Sequence, residues 1–176
     1  QQARDFAERF EFPSTVSYSV WASGASTIKY RTKKTNPNIG VRGVSQGYFE
    51  TAGLELEEGR DFSAHEQENG WFVAIIGKDV VNQLFEKNED PLEKIISVGS
   101  TKYRVIGVLK SKGTGFGGGP DRSVLLPVHN VSTHFSQPNM NYTINVKPLN
   151  TQFLEYAVQE AEGVFRIVRN LKAIDP

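Results

Sequence analysis

A chain of 176 residues with 20 Lys and Arg against 20 Asp and Glu carries no net charge, and so lacks the basic excess of a nucleic-acid binder. Its 38% hydrophobic and 23% charged residues are those of an ordinary folded domain and exclude a disordered chain. Without cysteine there is no disulfide, thiolate nucleophile or Cys-based zinc site, and no apolar run reaches the roughly 18 residues of a membrane span.

The N-terminal "QQARDFAERFEF" reads as a short helix with Phe6, Phe10 and Ala3 or Ala7 on one face, ended by Pro13. From Ser14 the period changes to two: in "TVSYSVWAS", Val16, Tyr18 and Val20 alternate with Ser17, Ser19 and Trp21, as on a half-buried strand. "STIKYRT" is its neighbour, "RTKK" is a solvated run on a hairpin, and Asn36-Pro37-Asn38 turns the chain into the strand "IGVRGVS". "SQGYFETAG" predicts one or two helical turns, capped by Ser45 and stopped at Gly53. "LELEEGRDF" predicts a strand, "HEQENG" a polar loop, and "WFVAIIG" a strand buried on both faces. In "KDVVNQLFEKN" the spacing of Val80, Val81, Leu84 and Phe85 predicts an amphipathic helix. "EKIISVGSTKYRVIGVL" predicts a hairpin turning at Gly99-Ser100, followed by a glycine loop and the strand "RSVLLPV".

"NYTINVKPL" alternates again, with Tyr142, Ile144 and Val146 on one face. The strongest helical signal closes the chain: Phe153, Leu154, Ala157, Val158, Ala161, Val164, Phe165, Val168 and Leu171 recur at helix spacing, with Glu155, Glu160 and Glu162 early and Arg166, Arg169 and Lys172 late. Strands and helices mixed without strict β-α-β alternation give an α+β fold. The first residue is Gln1 and the single methionine is Met140, so the chain reads as an excised or processed piece of a longer protein.

"KGTGFGGGPD" contains G-x-G-x-x-G in Gly113, Gly115 and Gly118. A dinucleotide site needs a helix after the glycines and an acid about 20 residues on. Here Pro120-Asp121-Arg122 and a short apolar run follow, and the next acid is Glu155. A P-loop would need Gly-Lys-Ser/Thr, which is also missing. The stretch is therefore a connection between two strands. Phe116, an apolar ring among glycines, and Lys112 beside it are candidates for touching a partner.

Other chemistry is thin. His129 and His134 lack neighbouring carboxylates and no H-E-x-x-H occurs, while His65 sits beside Glu66 in a polar stretch. No G-x-S-x-G marks a nucleophile, and Glu55 and Glu57 share a strand face without a facing carboxylate. Trp71 and Phe72 are expected in the core; "NVS" at Asn130 and "NYT" at Asn141 fit the glycosylation pattern. The expectation is no catalytic residue, no cofactor and no metal.

In order and spacing, "VRGVSQGYFETAGLELEEGRDF", "VAIIGKDVVNQLFEKNEDPLEKI" and "YRVIGVLKSKGTGFGGGPDRSVLLP" resemble the periplasmic core domain of FtsX/MacB-type ABC transporter permeases. The matching positions include Tyr48, Phe49, Gly59, Arg60, Phe62, Gly77, Leu84, Phe85, Pro91, Gly107, Asp121 and Pro127; Glu93 departs, standing where the family usually has glycine. The resemblance implies a domain on the periplasmic face of the bacterial inner membrane. It implies two subdomains: a porter-like α/β unit from 1–62 and 140–176, and an inserted Sabre-like α/β unit from 63–139. Implied partners are the rest of the permease, its separate ATPase domain, a periplasmic adaptor and an outer-membrane channel, with a dimer in the full transporter. Motion driven by ATP would pass through the domain to cargo or adaptor. Two rival readings remain. One is a secreted enzyme or ligand-binding module using the glycine loop with Lys112 and Arg122; the other is a scaffold tethering envelope components.

Overall fold

The computed structural model describes residues 1–113, 119–135 and 140–170. Ten strands share one sheet: β1 (Ser14–Ser26), β2 (Ile28–Tyr30), β3 (Lys33–Lys34), β4 (Ile39–Val44), β5 (Leu56–Gly59), β6 (Val73–Ile76), β7 (Ile95–Val98), β8 (Thr101–Leu109), β9 (Ser123–Pro127) and β10 (Tyr142–Pro148). Around it lie α1 (Gln2–Arg9), α2 (Tyr48–Ala52), α3 (Ala64–Asn69), α4 (Lys78–Leu84), α5 (Val128–His134) and α6 (Leu154–Val168). The order is β10-β1-β4-β9-β6-β8-β7-β2-β3, with β5 added against β8. Only β4–β9 and β6–β8 are parallel, so the fold is α+β as expected. Among the described residues no helix is long and apolar enough to cross a membrane.

β1 and β2 are one run of chain interrupted at Thr27, yet Ser26 pairs with Ile39 of β4 and Ile28 with Val98 of β7. The sheet therefore curls until one segment stitches both of its flanks. The enclosed side holds Val20, Ile28, Ile39, Val41, Ala74, Ile76, Ile96, Val98, Val105 and Leu126, closed by Val80 and Leu84 of α4 and Val128 and Val131 of α5. Alternate residues go the other way: Val44, Val73, Ile75, Ile106 and Leu125 meet Tyr48 of α2 and Phe62. This division of Val73 and Ile75 from Ala74 and Ile76 is why "VAII" is apolar at every position. A third cluster, Phe6, Phe10 and Val164 with Val16, Ile144 and Val146, joins α1 and α6 to β1 and β10.

That third cluster draws only on the segments 1–62 and 140–170. The sheet nevertheless runs unbroken past Phe62 and Ser63, because β4 pairs β9, β5 pairs β8 and β2 pairs β7.

Several expectations need correction. "HEQENG" is helix α3, because Ser63 and Glu66 form a reciprocal capping box and Gly70 closes the helix at φ 59°. Helix α5 follows Pro127, within a stretch not read as helical. Gly47, not Ser45, is the N-cap of α2; the Ser45 hydroxyl instead accepts from Tyr18 N at 2.9 Å. Trp71 and Phe72 are 43% and 45% exposed, since β6 begins only at Val73. Ser17 and Ser19, expected on the wet face of β1, are both buried, and Ser17 shares a hydrogen bond with Thr51 of α2.

Candidate partner-docking site

The neck of the glycine loop is held from several sides. Asp121, 3% exposed, accepts from Ser111 Oγ at 2.7 Å and from Lys112 N at 3.3 Å. Gly113 (φ 78°) and Gly119 (φ 51°, ψ −154°) turn the chain through conformations that disfavour a side chain. Ser123 Oγ donates to Pro120 O at 2.6 Å, and Gly77 N donates to Ser123 O at 2.8 Å. A Cβ on Gly77 would lie 2.3 Å from the carbonyl oxygens of both Pro120 and Asp121, so the loop base rests directly on the start of α4.

The cations at this neck have internal partners. Lys112 Nζ donates to Gly53 O, the left-handed residue that ends α2. Arg122 Nε donates to Asp79 Oδ2 at 3.0 Å. Phe116, Gly115 and Gly118 lie outside the described residues. After Gly119 the chain makes a three-residue 3₁₀ turn, Pro120–Arg122, and enters β9. No helix N-terminus is offered to a phosphate there.

The shared motif residues build the scaffold around this neck. Arg60 grips Glu66 with two parallel bonds, Nη1 to Oε2 and Nη2 to Oε1, each 2.8 Å. Ser63 adds its N–H and hydroxyl to Oε2 at 2.8 and 3.0 Å. Glu66 is 3% exposed, and these donors, Arg60 first, draw its pKa down to about 2. Gly59 has φ 80°, and a Cβ there would stand 2.2 Å from Ile106 O; one on Gly107 would stand 2.8 Å from Arg60 O. Both must be bare for β5 to lie on β8.

Tyr48 OH accepts from Arg42 Nη1 at 2.6 Å, and the Arg42 guanidinium lies 4.0 Å from the Trp21 ring centre. Phe49 is half-buried in the same cluster, and Pro91 and Pro127 are buried. Glu93 adopts φ 62°, the conformation for which glycine is the natural occupant.

The remaining candidates have structural explanations. His129 is exposed, His134 lies against Phe72 and His65 meets Trp71 edge-on. No group of three metal-ligating side chains occurs among the described residues. Glu55 and Glu57 pair with Lys110 and Lys78 at 2.6 and 2.8 Å. Asn130 is 1% exposed, accepting from Tyr103 OH and donating to Gly70 O, each at 2.8 Å. Its glycosylation pattern is therefore closed inside the fold. Neither this bridge nor the stacking of Arg42 on Trp21 carries a local signal, because each joins segments far apart in sequence.

This fold is that of the extracytoplasmic domains of ABC-type transporters. It aligns with the extracellular domain of the noncanonic ABC-type transporter YknZ from Gram-positive bacteria at TM-score 0.77 and 22% identity, covering 97% of this chain and 83% of that one. Against the periplasmic region of MacB from Actinobacillus actinomycetemcomitans the TM-score is 0.76 at 18% identity, over 97% and 74% of the two chains. Residues 1–163 match the model of the MacB-like periplasmic core domain, and the chain belongs to that family. A macrolide export ATP-binding/permease protein MacB of Hahella chejuensis is 30% identical over 151 residues, which is 85% of this chain and 22% of that protein. Its counterpart in Bartonella henselae is 30% identical over 142 residues, 80% and 21% of the two. The chain thus spans about a fifth of the length of these relatives.

Proposed function

We propose that the chain is a non-catalytic domain on the periplasmic face of the bacterial inner membrane. There it passes ATP-driven motion from the remainder of an ABC transporter permease to cargo or to a periplasmic adaptor, for export. The ATPase resides in separate cytoplasmic domains, and an outer-membrane channel completes the route. The observation that carries this reading is the family match over residues 1–163. The motif positions add to it, because bare Gly59, Gly77 and Gly107 let backbone lie directly on backbone while the Arg60 and Asp121 side chains tie neighbouring segments together, as a transmitter of motion requires. In this reading segments 1–62 and 140–176 form the porter-like unit, and residues 63–139 the inserted one. The glycine loop, with Lys112 and Phe116, is its docking surface.

The rival, a ligand-binding module built on the glycine loop, has less support, since the chain after Gly119 turns through Pro120–Arg122 straight into β9 and offers a phosphate no helix N-terminus. The decisive experiment is in the intact transporter. Phe116→Ser with Lys112→Ala should lower capture of the cognate adaptor about tenfold while ATPase activity persists. Unchanged capture removes the loop from the docking surface. An uninterrupted soluble sequence on both sides of this segment in the parent gene, without apolar runs of about 20 residues, would overturn the transporter reading itself.

A further inference from the structure

Hydrogen-bond parity along β10 fixes which of its backbone groups are free. Leu149 N donates to Pro13 O at 3.1 Å, and the register Ser14↔Pro148 makes Pro13 and Leu149 a hydrogen-bonded pair. Such pairs alternate along an antiparallel ladder, so Thr143, Asn145 and Lys147 turn their backbone groups toward β1. The N–H and C=O groups of Tyr142, Ile144 and Val146 point off the sheet. The far side of β1 agrees, for there the even-numbered Tyr18 accepts from Ser45 N at 2.9 Å. No partner for these outward groups of β10 exists among the described residues. The opposite end of the sheet is protected in the usual manner, since β3 is two residues long and both are lysines.

The free groups are symmetric about Ile144. We propose that β10 is a self-pairing edge: two copies of this chain join antiparallel about a two-fold axis through Ile144. Each copy gives three N–H and three C=O groups, which close six hydrogen bonds. Pro148, with no N–H, ends the window. Side chains fit the same register. Ile144 meets Ile144 of the partner subunit and Tyr142 meets Val146 of the partner subunit, which extends the apolar layer that Ile144 and Val146 already share with α1 and α6. On the other face Thr143 stands opposite Asn145 of the partner subunit, and Lys147 opposite Asn141 of the partner subunit, so no like charges meet. This rests on backbone geometry and is independent of the transport reading.

The test is sedimentation equilibrium of the purified chain from ~10 µM to ~1 mM, with amide exchange followed by NMR over the same series. The expected result is a monomer–dimer equilibrium in which exchange at Tyr142, Ile144 and Val146 slows about tenfold or more with concentration. Thr143, Asn145 and Lys147 should not respond. The double variant Thr143→Lys/Asn145→Lys sets like charges across both Thr143–Asn145 cross-strand pairs and should be monomeric. Thr143→Lys/Asn145→Glu, with opposite charges there, should keep the dimer and show that the strand still folds. A monomer at every concentration would overturn the proposal, as would a dimer indifferent to the two lysines. So would protection of the three amides that ignores concentration, because a segment of the same chain would then be covering the edge.

Discussion

Glu93 shows how a single side chain can oppose its own backbone. At φ 62° an L-residue is strained, while its ion pair with Arg104, 3.3 Å long and exposed, returns little. Glu93→Gly should therefore stabilise the domain by roughly 0.5–1 kcal/mol in urea unfolding, the net of relieved strain and the looser unfolded chain. Glu66 works in the opposite sense. Its carboxyl is held at about 2 against an ordinary 4.5, so its stabilisation is present above pH 4.5 and disappears as pH falls toward 2. The size is up to ~3 kcal/mol. Glu66→Gln should remove that amount at pH 7 and flatten the acid limb of a stability–pH curve. Gly77→Ala should be harsher still, because no shift of a flexible side chain can clear two carbonyls 2.3 Å away; a soluble, cooperatively melting variant would contradict the clamp. Glu93 could be picked out from the resemblance, but the dihedral that makes it costly cannot be read from the letters. The partner of Arg60 is likewise hidden, because "HEQENG" has the composition of a polar loop.

Helix α3 depends on its cap. Ser63 Oγ accepts from Glu66 N at 3.3 Å, so Ser63→Ala should cost about 1 kcal/mol and fray the turn that presents Glu66 to Arg60. Amide exchange confined to the start of α3 would measure it. Short helices such as α3 and α5 were illegible by periodicity, being too brief to show a repeat; the Ser63-x-x-Glu66 spacing was the available signal. Strands were far more legible. β6, β8 and β10 lie where their apolar patterns place them, and the β7–β8 hairpin turns at Gly99, φ 62°. The closing helix was legible in type but not in burial. Ala157 and Val164 are buried, whereas Leu154, Val158 and Phe165 are exposed, because its apolar arc is wider than the face it turns to α1 and β10.

At the scale of the molecule, the ordered motifs showed the family, and the sheet explains why they sit where they do: β5, β8, β6 and β9 carry them side by side. What no local pattern could reveal is the pairing of distant segments, such as Gly59 with Gly107 or β2 with β7. If the domain relays motion, Gly107→Ala in the intact transporter should uncouple export from ATP hydrolysis, so that efflux falls while ATPase activity persists. The stitched sheet also has a consequence in time. As the chain emerges N-terminus first, β1 must wait for β4, then for β10 more than a hundred residues later, while β2 waits for β7. Long loops must close before these contacts repay them, so refolding should fall in the slow range of about milliseconds to seconds typical of non-local sheets. During that interval the Ser14–Ser26 strand stands unpaired on one side, which makes it the segment most in need of a chaperone.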